Sequence, residues 1–270
     1  MTIAVTPSAL HPSTGAQIGA LAQRSLRRVF RQPAQFVFPM VFPMILLLIN
    51  GDALTSVTKL PGFSAYAPSY RAFWFPNTFV FGAMTMATIM GANMARDIET
   101  GYLNRMMLTP TRSVSILLGH LGGAVMMACV ICTEYLIIGR LLGVEVATGL
   151  TGVLGIYAFQ ILIAIFFASL GTALALRFET AEAVESIFPL FFALLFLSSG
   201  NFPRPLIETA WYRTIATYNP VTYVIEGIRA LVNLSWGDES VWRGYLVACA
   251  LALITVFAAA RGARSRFARS

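Results

Sequence analysis

The chain has 270 residues, of which 57% are hydrophobic and 11% are charged, and its mean hydropathy is +0.72. A soluble domain has about 45–50% apolar and about 25% charged residues, so the composition excludes an ordinary soluble domain and indicates a polytopic membrane protein. The net charge of +7 rests almost entirely on arginines. In a membrane protein this charge reports orientation and contact with anionic head groups, so we expect a lipid bilayer and no nucleic acid as partner.

The N-terminal region divides into a tail and a helix. Residues 1–13 hold two prolines and no apolar run, so we expect a disordered tail without a signal peptide. From residue 14 to residue 32, apolar residues follow helical spacing on one face and arginines occupy the other. This pattern predicts an amphipathic helix that lies along the cytoplasmic membrane surface.

Six apolar stretches predict an all-α protein with six transmembrane helices. The expected spans are about 36–50, 74–94, 114–142, 150–176, 186–199 and 242–260. The first contains Pro39 and Pro43, which should kink it unless neighbouring helices satisfy the freed carbonyls. The fifth is shorter than the ~20 residues of a full crossing, so we place Glu182 and Glu185 at its inner end. Those two carboxylates are either solvated at the interface or face a water-filled path.

Two features interrupt the predicted spans. Residues 95–110 form a charged stretch in which Ile98, Tyr102 and Met106 recur every four residues, which predicts a short amphipathic helix ended by Pro110. Residues 202–235 predict two short helices broken at Asn219 and Pro220. Neither is long enough to span a membrane, so we expect a re-entrant hairpin before the sixth span.

Basic residues set the orientation. If the N-terminus is inside, the inner segments hold twelve basic residues and the outer segments hold seven. This asymmetry favours cytoplasmic N- and C-termini, with residues 263–270 as a basic cytoplasmic tail. The charged stretch is then cytoplasmic and the hairpin external.

Little in the sequence predicts chemistry. The only lysine, Lys59, follows no glycine-rich loop, so no nucleotide site of the P-loop type is expected. Cys129 and Cys132 have the spacing of a redox or metal motif but lie within a span, where cysteine serves as a small apolar residue. Glu134 is the sole acid well inside a span. It either forms a hydrogen bond to a neighbouring helix or snorkels to the interface, or it takes part in ion transport. We predict no catalytic, cofactor-binding or metal-binding residue.

Two motifs, together with their placement relative to the spans, carry a family resemblance. The stretch from Arg96 through Leu103 to Pro110 has a basic-acidic run, Gly, Leu and a closing Thr-Pro, and residues 219–229 begin Asn-Pro-Val-Thr-Tyr. In this order the two motifs resemble the ABC-2 type permease, the membrane subunit of many bacterial ABC exporters. The resemblance covers nearly the whole chain and lies closest to drug-export permeases of the daunorubicin-resistance type. Tyr102 and Asn104 depart from the Thr and Glu that many relatives carry there.

The resemblance implies one transmembrane domain, 14–262, in the bacterial inner membrane. It implies a homodimer or a pair with a sister permease, and two ATPase subunits that hold ATP and Mg²⁺. Contact with those subunits would involve Arg96, Asp97, Glu99, Gly101, Leu103 and Arg105. The translocation path would be lined by spans two and five, at Phe79, Met86, Met90, Phe188, Phe191, Phe192 and Phe196. The external hairpin would begin its second helix at Asn219, Pro220 and Tyr223.

The expected cargo is an amphiphilic drug-like or lipidic compound, because methionine repacks readily around irregular ligands. Polysaccharide or glycolipid export by a member of the same family is the alternative. Two other classes have less support: a secondary transporter would show paired ionisable groups or repeat symmetry, and a membrane-embedded enzyme would show a convergent polar site.

Overall fold

The structure is a computed structural model that describes residues 33–101 and 113–267. The helix expected over 14–32 and most of the charged stretch therefore lie outside the described residues. Within these ranges the chain forms nine α-helices and no strand. The helices are α1 (Pro33–Ala53), α2 (Tyr70–Glu99), α3 (Ser113–Leu141), α4 (Gly149–Phe178), α5 (Ala181–Glu185), α6 (Phe188–Phe196), α7 (Ala210–Tyr218), α8 (Pro220–Asn233) and α9 (Glu239–Phe267). Short 3₁₀ helices lie at Thr55–Lys59, Phe63–Ala65 and Arg204–Leu206.

Four of the described helices, α2, α3, α4 and α9, are long and apolar enough to cross a membrane. Each has 29 or 30 residues, so its length of about 45 Å exceeds the ~30 Å hydrocarbon core. They match predicted spans two, three, four and six. The apolar part of α1 is shorter, and the fifth predicted span is divided between α5 and α6. The all-helical class is confirmed, whereas six crossings remain a prediction.

Helix α2 is the central element of the bundle. It is buried along nearly its whole length, polar residues such as Asn77, Thr78 and Thr85 included, so protein surrounds it on all sides. Helices α1, α3, α4 and α8 pack around it, and α9 packs on the far side of α4. Helix α9 exposes most of its apolar surface, as a helix at the lipid-facing edge of a bundle would.

Side chains of neighbouring helices satisfy two carbonyls that prolines leave without a donor. A proline inside a helix removes the hydrogen bond to the carbonyl four residues earlier. In α1, Pro43 frees the carbonyl of Pro39, and the Tyr135 hydroxyl of α3 donates to it. In α2, Pro76 frees the carbonyl of Ala72, and Asn233 Nδ2 of α8 donates to it at 3.0 Å. Both helices therefore continue past their prolines.

Helices α7 and α8 meet at a break at Asn219, where the hairpin was predicted. Helix α8 lies close against α9 because Gly227 faces Gly244: a Cβ added to Gly244 would lie 3.1 Å from the Gly227 Cα. The apolar face of α8 also packs on α2 and α4. Helix α8, the second helix of the predicted hairpin, is thus part of the core, and its external position remains a prediction.

Candidate functional site

The charged stretch begins as the last turn of α2. The helix ends at Glu99, and Gly101 adopts a left-handed backbone with φ of 67°. Its N–H donates to the carbonyl of Ile98 at 3.0 Å, which closes the turn as glycine commonly does after a helix. The prediction of one continuous helix over 95–110 is therefore wrong for its first residues, because α2 ends at Glu99. Leu103 and Arg105 lie outside the described residues.

Arg96 joins this end of α2 to α5. Its Nη2 donates to Glu185 Oε1 at 2.8 Å, and the two side chains are 43% and 52% exposed. An ion pair this exposed contributes only about 0–1 kcal/mol to stability. Its importance is geometric, because it ties the predicted coupling residue to the segment that leads into α6. Glu185 is thus paired rather than simply solvated, whereas Glu182 is exposed.

Glu99 makes a second connection to α5. Its Oε1 accepts a hydrogen bond from the backbone N–H of Ala181 at 2.9 Å. Ala181 is the first residue of α5, and the N-cap residue Thr180 makes no side-chain cap. The first N–H groups of a helix have no partner inside it, so a carboxylate from α2 supplies the cap. Asp97, between these two residues in sequence, is half-buried.

A close helix crossing lies beside these polar contacts. A Cβ added to Gly91 of α2 would lie 2.9 Å from the Gly171 Cα of α4 and 2.9 Å from Val184 Cγ1 of α5. A small apolar cluster surrounds the crossing, formed by Ala92, Met94, Ala95, Ile98, Ala175, Ala181 and Val184. The C-terminal end of α2, from Gly91 to Glu99, is therefore packed tightly against α4 and α5. We call this region of the bundle the Glu99 end.

A non-helical turn at residues 197–201, which follows α6, lies at the opposite end of α2 and is here called the α6 turn. Non-helical backbone at membrane depth is tolerated only where protein or water satisfies its polar groups. Side chains from α2, α7 and α8 bind its carbonyls. The Tyr212 hydroxyl donates to Ser198 O (3.0 Å), Arg229 Nη2 to Ser199 O (3.0 Å), Asn77 Nδ2 to Gly200 O (2.9 Å) and the Tyr70 hydroxyl to Asn201 O (2.8 Å).

Arg229 is the charged centre of this arrangement and is only 4% exposed. Its Nε donates to the carbonyl of Phe73 at 3.0 Å, and its guanidinium lies 3.7 Å from the centre of the Phe73 ring. Burial lowers the pKa of Arg229 to about 10, against the opposing field of Glu226, so it stays charged at neutral pH. Sequence reasoning counted Arg229 only as an external basic residue. The available signal was its place on the apolar face of α8 with Ile225 and Val232.

The three predicted hairpin residues hold the hairpin together. Asn219 Oδ1 accepts from the Val221 N–H at 3.0 Å and so caps α8, and its Nδ2 donates to the Leu194 carbonyl of α6 at 2.6 Å. Pro220 is the first residue of α8, a position where its missing N–H costs nothing. The Tyr223 hydroxyl donates to the Thr217 carbonyl at 2.9 Å.

The residues predicted to line a path fall into three groups. Phe79 is fully buried and packs edge-on against Tyr135 of α3, with ring centres 5.7 Å apart. Met86 and Met90 are also buried in the core of the chain. The α6 aromatics lie between α2 and α4: Phe188 and Phe192 contact Phe81, Phe191 contacts Phe166 and Phe167, and Phe196 is 40% exposed. The structure thus separates Phe79 from the α6 set, and Phe81, which was not predicted, meets that set instead.

The remaining polar candidates are Glu134, Cys129 and Cys132. Glu134 is half-buried, and its Oε2 has no hydrogen-bond partner among the described residues. Cys129 is half-buried and Cys132 is buried. In residues 33–101 and 113–267, no three His, Cys, Asp or Glu side chains come together as a metal site would require. The two interpretations of Glu134 both remain open.

Comparison with known proteins places this architecture in a family. The chain is 26% identical over 242 residues to a protein of Porphyra purpurea named "Putative transport permease ycf38", a match covering 83% of this chain and 80% of that protein. Proteins of the same name from Pyropia yezoensis and Cyanophora paradoxa are 26% identical over 89% and 81% of this chain, and over 86% and 75% of their own lengths. The family model for the ABC-2 type transporter matches residues 16–233. The chain therefore belongs to the ABC-2 type transporter family.

Proposed function

We propose that this chain is the membrane subunit of an ATP-driven exporter. It pairs with a second permease copy or a sister permease and takes its energy from two separate ATPase subunits, which carry ATP and Mg²⁺. Family membership and the transport permeases among the relatives support a role in membrane transport. The excess of basic residues in the inner segments supports cytoplasmic termini. The inner membrane of a bacterium is part of the proposal because the family resemblance implies it.

The observation that carries the mechanism is the double connection between α2 and α5. A partner that pushes on the residues after Glu99 acts on a helix whose last turn is bonded to α5 through Arg96 and Glu99. The tight crossing at Gly91 leaves little room for α2 to slide past α4. A displacement of this end is therefore transmitted to the segment that leads into α6.

The cargo path in this proposal lies against α2 and α6, as the resemblance implies. Support comes from the α6 aromatics, of which Phe196 is 40% exposed in the single chain. An aromatic lining that methionines can join suits an amphiphilic drug-like or lipidic molecule, because methionine repacks readily. Phe79, Met86 and Met90 would reach that path only if the helices around them separate, because all three are buried in this chain.

A charge reversal tests the connection between α2 and α5. The chain is purified with its candidate ATPase subunits in lipid nanodiscs, and permease-dependent ATP hydrolysis is measured for Arg96→Glu, Glu185→Arg and the double variant. Each single change replaces an attractive pair by a repulsive one, so we expect hydrolysis to fall about fivefold. The double variant restores the pair and should recover most of the activity.

The matched control uses the exposed ion pair between Arg140 and Glu145 near the other end of the bundle. Arg140→Glu and Glu145→Arg change the same charges and should leave hydrolysis within twofold of the unaltered chain. If the Arg96 and Glu185 variants behave like these controls, or if the double variant does not recover, α5 does not transmit the coupling. Failure of the unaltered chain to stimulate any candidate ATPase would overturn the proposed function itself.

A further inference from the structure

A cavity of about 490 Å³ opens beside α8 at the hairpin end of the chain. This volume is typical of a small-ligand pocket, which spans about 300–1,000 Å³. Its wall combines segments distant in sequence: the 3₁₀ helix Phe63–Ala65, the turn at residues 203–205, helices α7 and α8, and the start of α9. It is therefore a feature of the tertiary fold and not a groove along one helix.

Three arginines line this cavity, and their surroundings differ. Arg204 is neutralised, because its Nε and Nη2 donate to the two carboxylate oxygens of Glu226 at 2.9 and 2.6 Å. Arg229 forms the buried part of the wall, and its Nε and Nη2 bind only carbonyls. Arg213 is exposed and makes one long contact, 3.5 Å from Nη1 to the Ile207 carbonyl.

Among the described residues, the acids of the lining form no ion pair with Arg229 or Arg213. Glu226 is committed to Arg204 through both oxygens. Asp238 accepts the Ser240 N–H at 2.8 Å, at the beginning of α9. Three arginines against two carboxylates leave the lining with one positive charge. In the part of the chain that the structure describes, the hydrogen bonds of Arg229 use Nε and Nη2 and that of Arg213 uses Nη1, so Arg229 Nη1 and Arg213 Nη2 have no partner.

The lining also sets the chemistry of an occupant. A guanidinium offers planar pairs of N–H donors that match carboxylate and phosphate oxygens. The hydroxyls of Tyr66 and Ser240 add neutral donors, whereas the Thr217 hydroxyl already donates to the Arg213 carbonyl at 2.7 Å. Pro203, Pro205 and Leu234 provide apolar wall. One unbalanced charge matches a singly charged anion.

We infer that this cavity binds a singly charged oxyanion, a carboxylate or a phosphodiester, between Arg213 and Arg229. Two sources share this chemistry: an anionic membrane lipid whose head group enters the cavity, and a free anion from solution. The inference does not depend on ATP-driven export, because it concerns binding to the isolated chain. It adds a ligand site to a hairpin whose predicted residues, Asn219, Pro220 and Tyr223, have only structural contacts.

The experiment measures binding to the full chain in phosphatidylcholine nanodiscs. One arm titrates phosphatidylglycerol and a second arm titrates dimethyl phosphate and acetate, both singly charged, with the thermal unfolding midpoint as readout. Phosphatidylglycerol should raise the midpoint in a saturable way. Arg213→Gln removes a charged donor from an exposed position and should weaken binding about tenfold. Ala65→Trp fills the cavity without changing its charge and should abolish binding.

The control is Arg243→Gln, which removes the same charge from an exposed position on α9, and it should bind like the unaltered chain. A response to dimethyl phosphate or acetate equal to that of phosphatidylglycerol assigns the site to a free anion. The inference fails if neither arm shows saturable binding. It also fails if Arg213→Gln and Ala65→Trp bind like the Arg243 control, because binding would then reflect the surface charge alone.

Discussion

Arg229 brings a positive charge into surroundings that consist mainly of backbone carbonyls. A guanidinium carries five N–H donors in a fixed plane, and those of Arg229 reach carbonyls of both α2 and the α6 turn. Neutral carbonyls compensate the charge only in part, and stacking on Phe73 adds to the compensation. One side chain thus fixes the irregular segment after α6 to the central helix.

Removal of this side chain should destabilise the protein strongly. Arg229→Met leaves the Ser199 carbonyl buried without a donor, a loss of about 1–3 kcal/mol. It also removes the charge-assisted hydrogen bond that the Phe73 carbonyl accepts in addition to its helical one. We expect the free energy of unfolding in detergent to fall by about 3 kcal/mol or more. Arg229→Lys retains the charge but only a compact set of donors, so it should recover part of the loss.

The control for this prediction is Arg243→Met, because Arg243 is exposed and pairs only with Glu239 four residues away. Its effect should stay within about 0.5 kcal/mol, as surface substitutions usually do. Equal unfolding midpoints for Arg229→Met and Arg243→Met would show that the carbonyls of the α6 turn find other donors.

At the scale of elements, α2 depends on α8 at the site of its proline. Pro76 leaves the Ala72 carbonyl without its helical donor, and Asn233 of α8 replaces that donor. Alone, Asn233→Leu should cost about 1–3 kcal/mol, because the carbonyl becomes an unsatisfied buried group. In a Pro76→Ala background, residue 76 regains its N–H and can bind the carbonyl within the helix.

A double-mutant cycle separates this pairing from simple packing. We expect Asn233→Leu to cost at least about 1 kcal/mol less in the Pro76→Ala chain than in the unaltered chain, measured by urea unfolding in mixed micelles. Thr217→Val, a polar-to-apolar change on α7, provides a comparison that should show no coupling to Pro76. Additive costs for Asn233→Leu would mean that its contribution is independent of the proline.

The sequence predicted those features of the helices that depend on local residue pattern. It did not predict the features that depend on contacts between distant residues. The apolar runs placed each end of α2, α3, α4 and α9 to within about seven residues, because a run of ~20 apolar residues is set by membrane thickness. The break at Asn219 was also visible in the sequence. The cap from Glu99 to Ala181 and the hydrogen bond from Asn233 to the Ala72 carbonyl join residues 82 and 161 positions apart, and no local pattern encodes them.

At the scale of the whole molecule, α2 links two groups of contacts at opposite ends of the bundle. Its 30 residues span about 45 Å, from the α6 turn near Tyr70 and Asn77 to the α5 contacts at Arg96 and Glu99. The chain from α5 through α6 to the α6 turn corresponds to the fifth predicted span. It contacts α2 near both ends of that helix, through α5 at one end and through the α6 turn at the other. A rigid displacement of α2 would therefore move both ends of that segment together.

The orientation of these two ends can be tested by labelling single cysteines. Glu208→Cys lies before α7 and Glu182→Cys lies on α5; both positions are exposed, and both changes remove one acid. With Cys129, Cys132 and Cys249 replaced by alanine, an impermeant maleimide added to intact cells should label only Glu208→Cys. Glu182→Cys should react after the membrane is disrupted. The reverse pattern would place the twelve basic residues of the inner segments outside, against the charge asymmetry that sets membrane topology, and would remove the Glu99 end from the reach of a cytoplasmic ATPase.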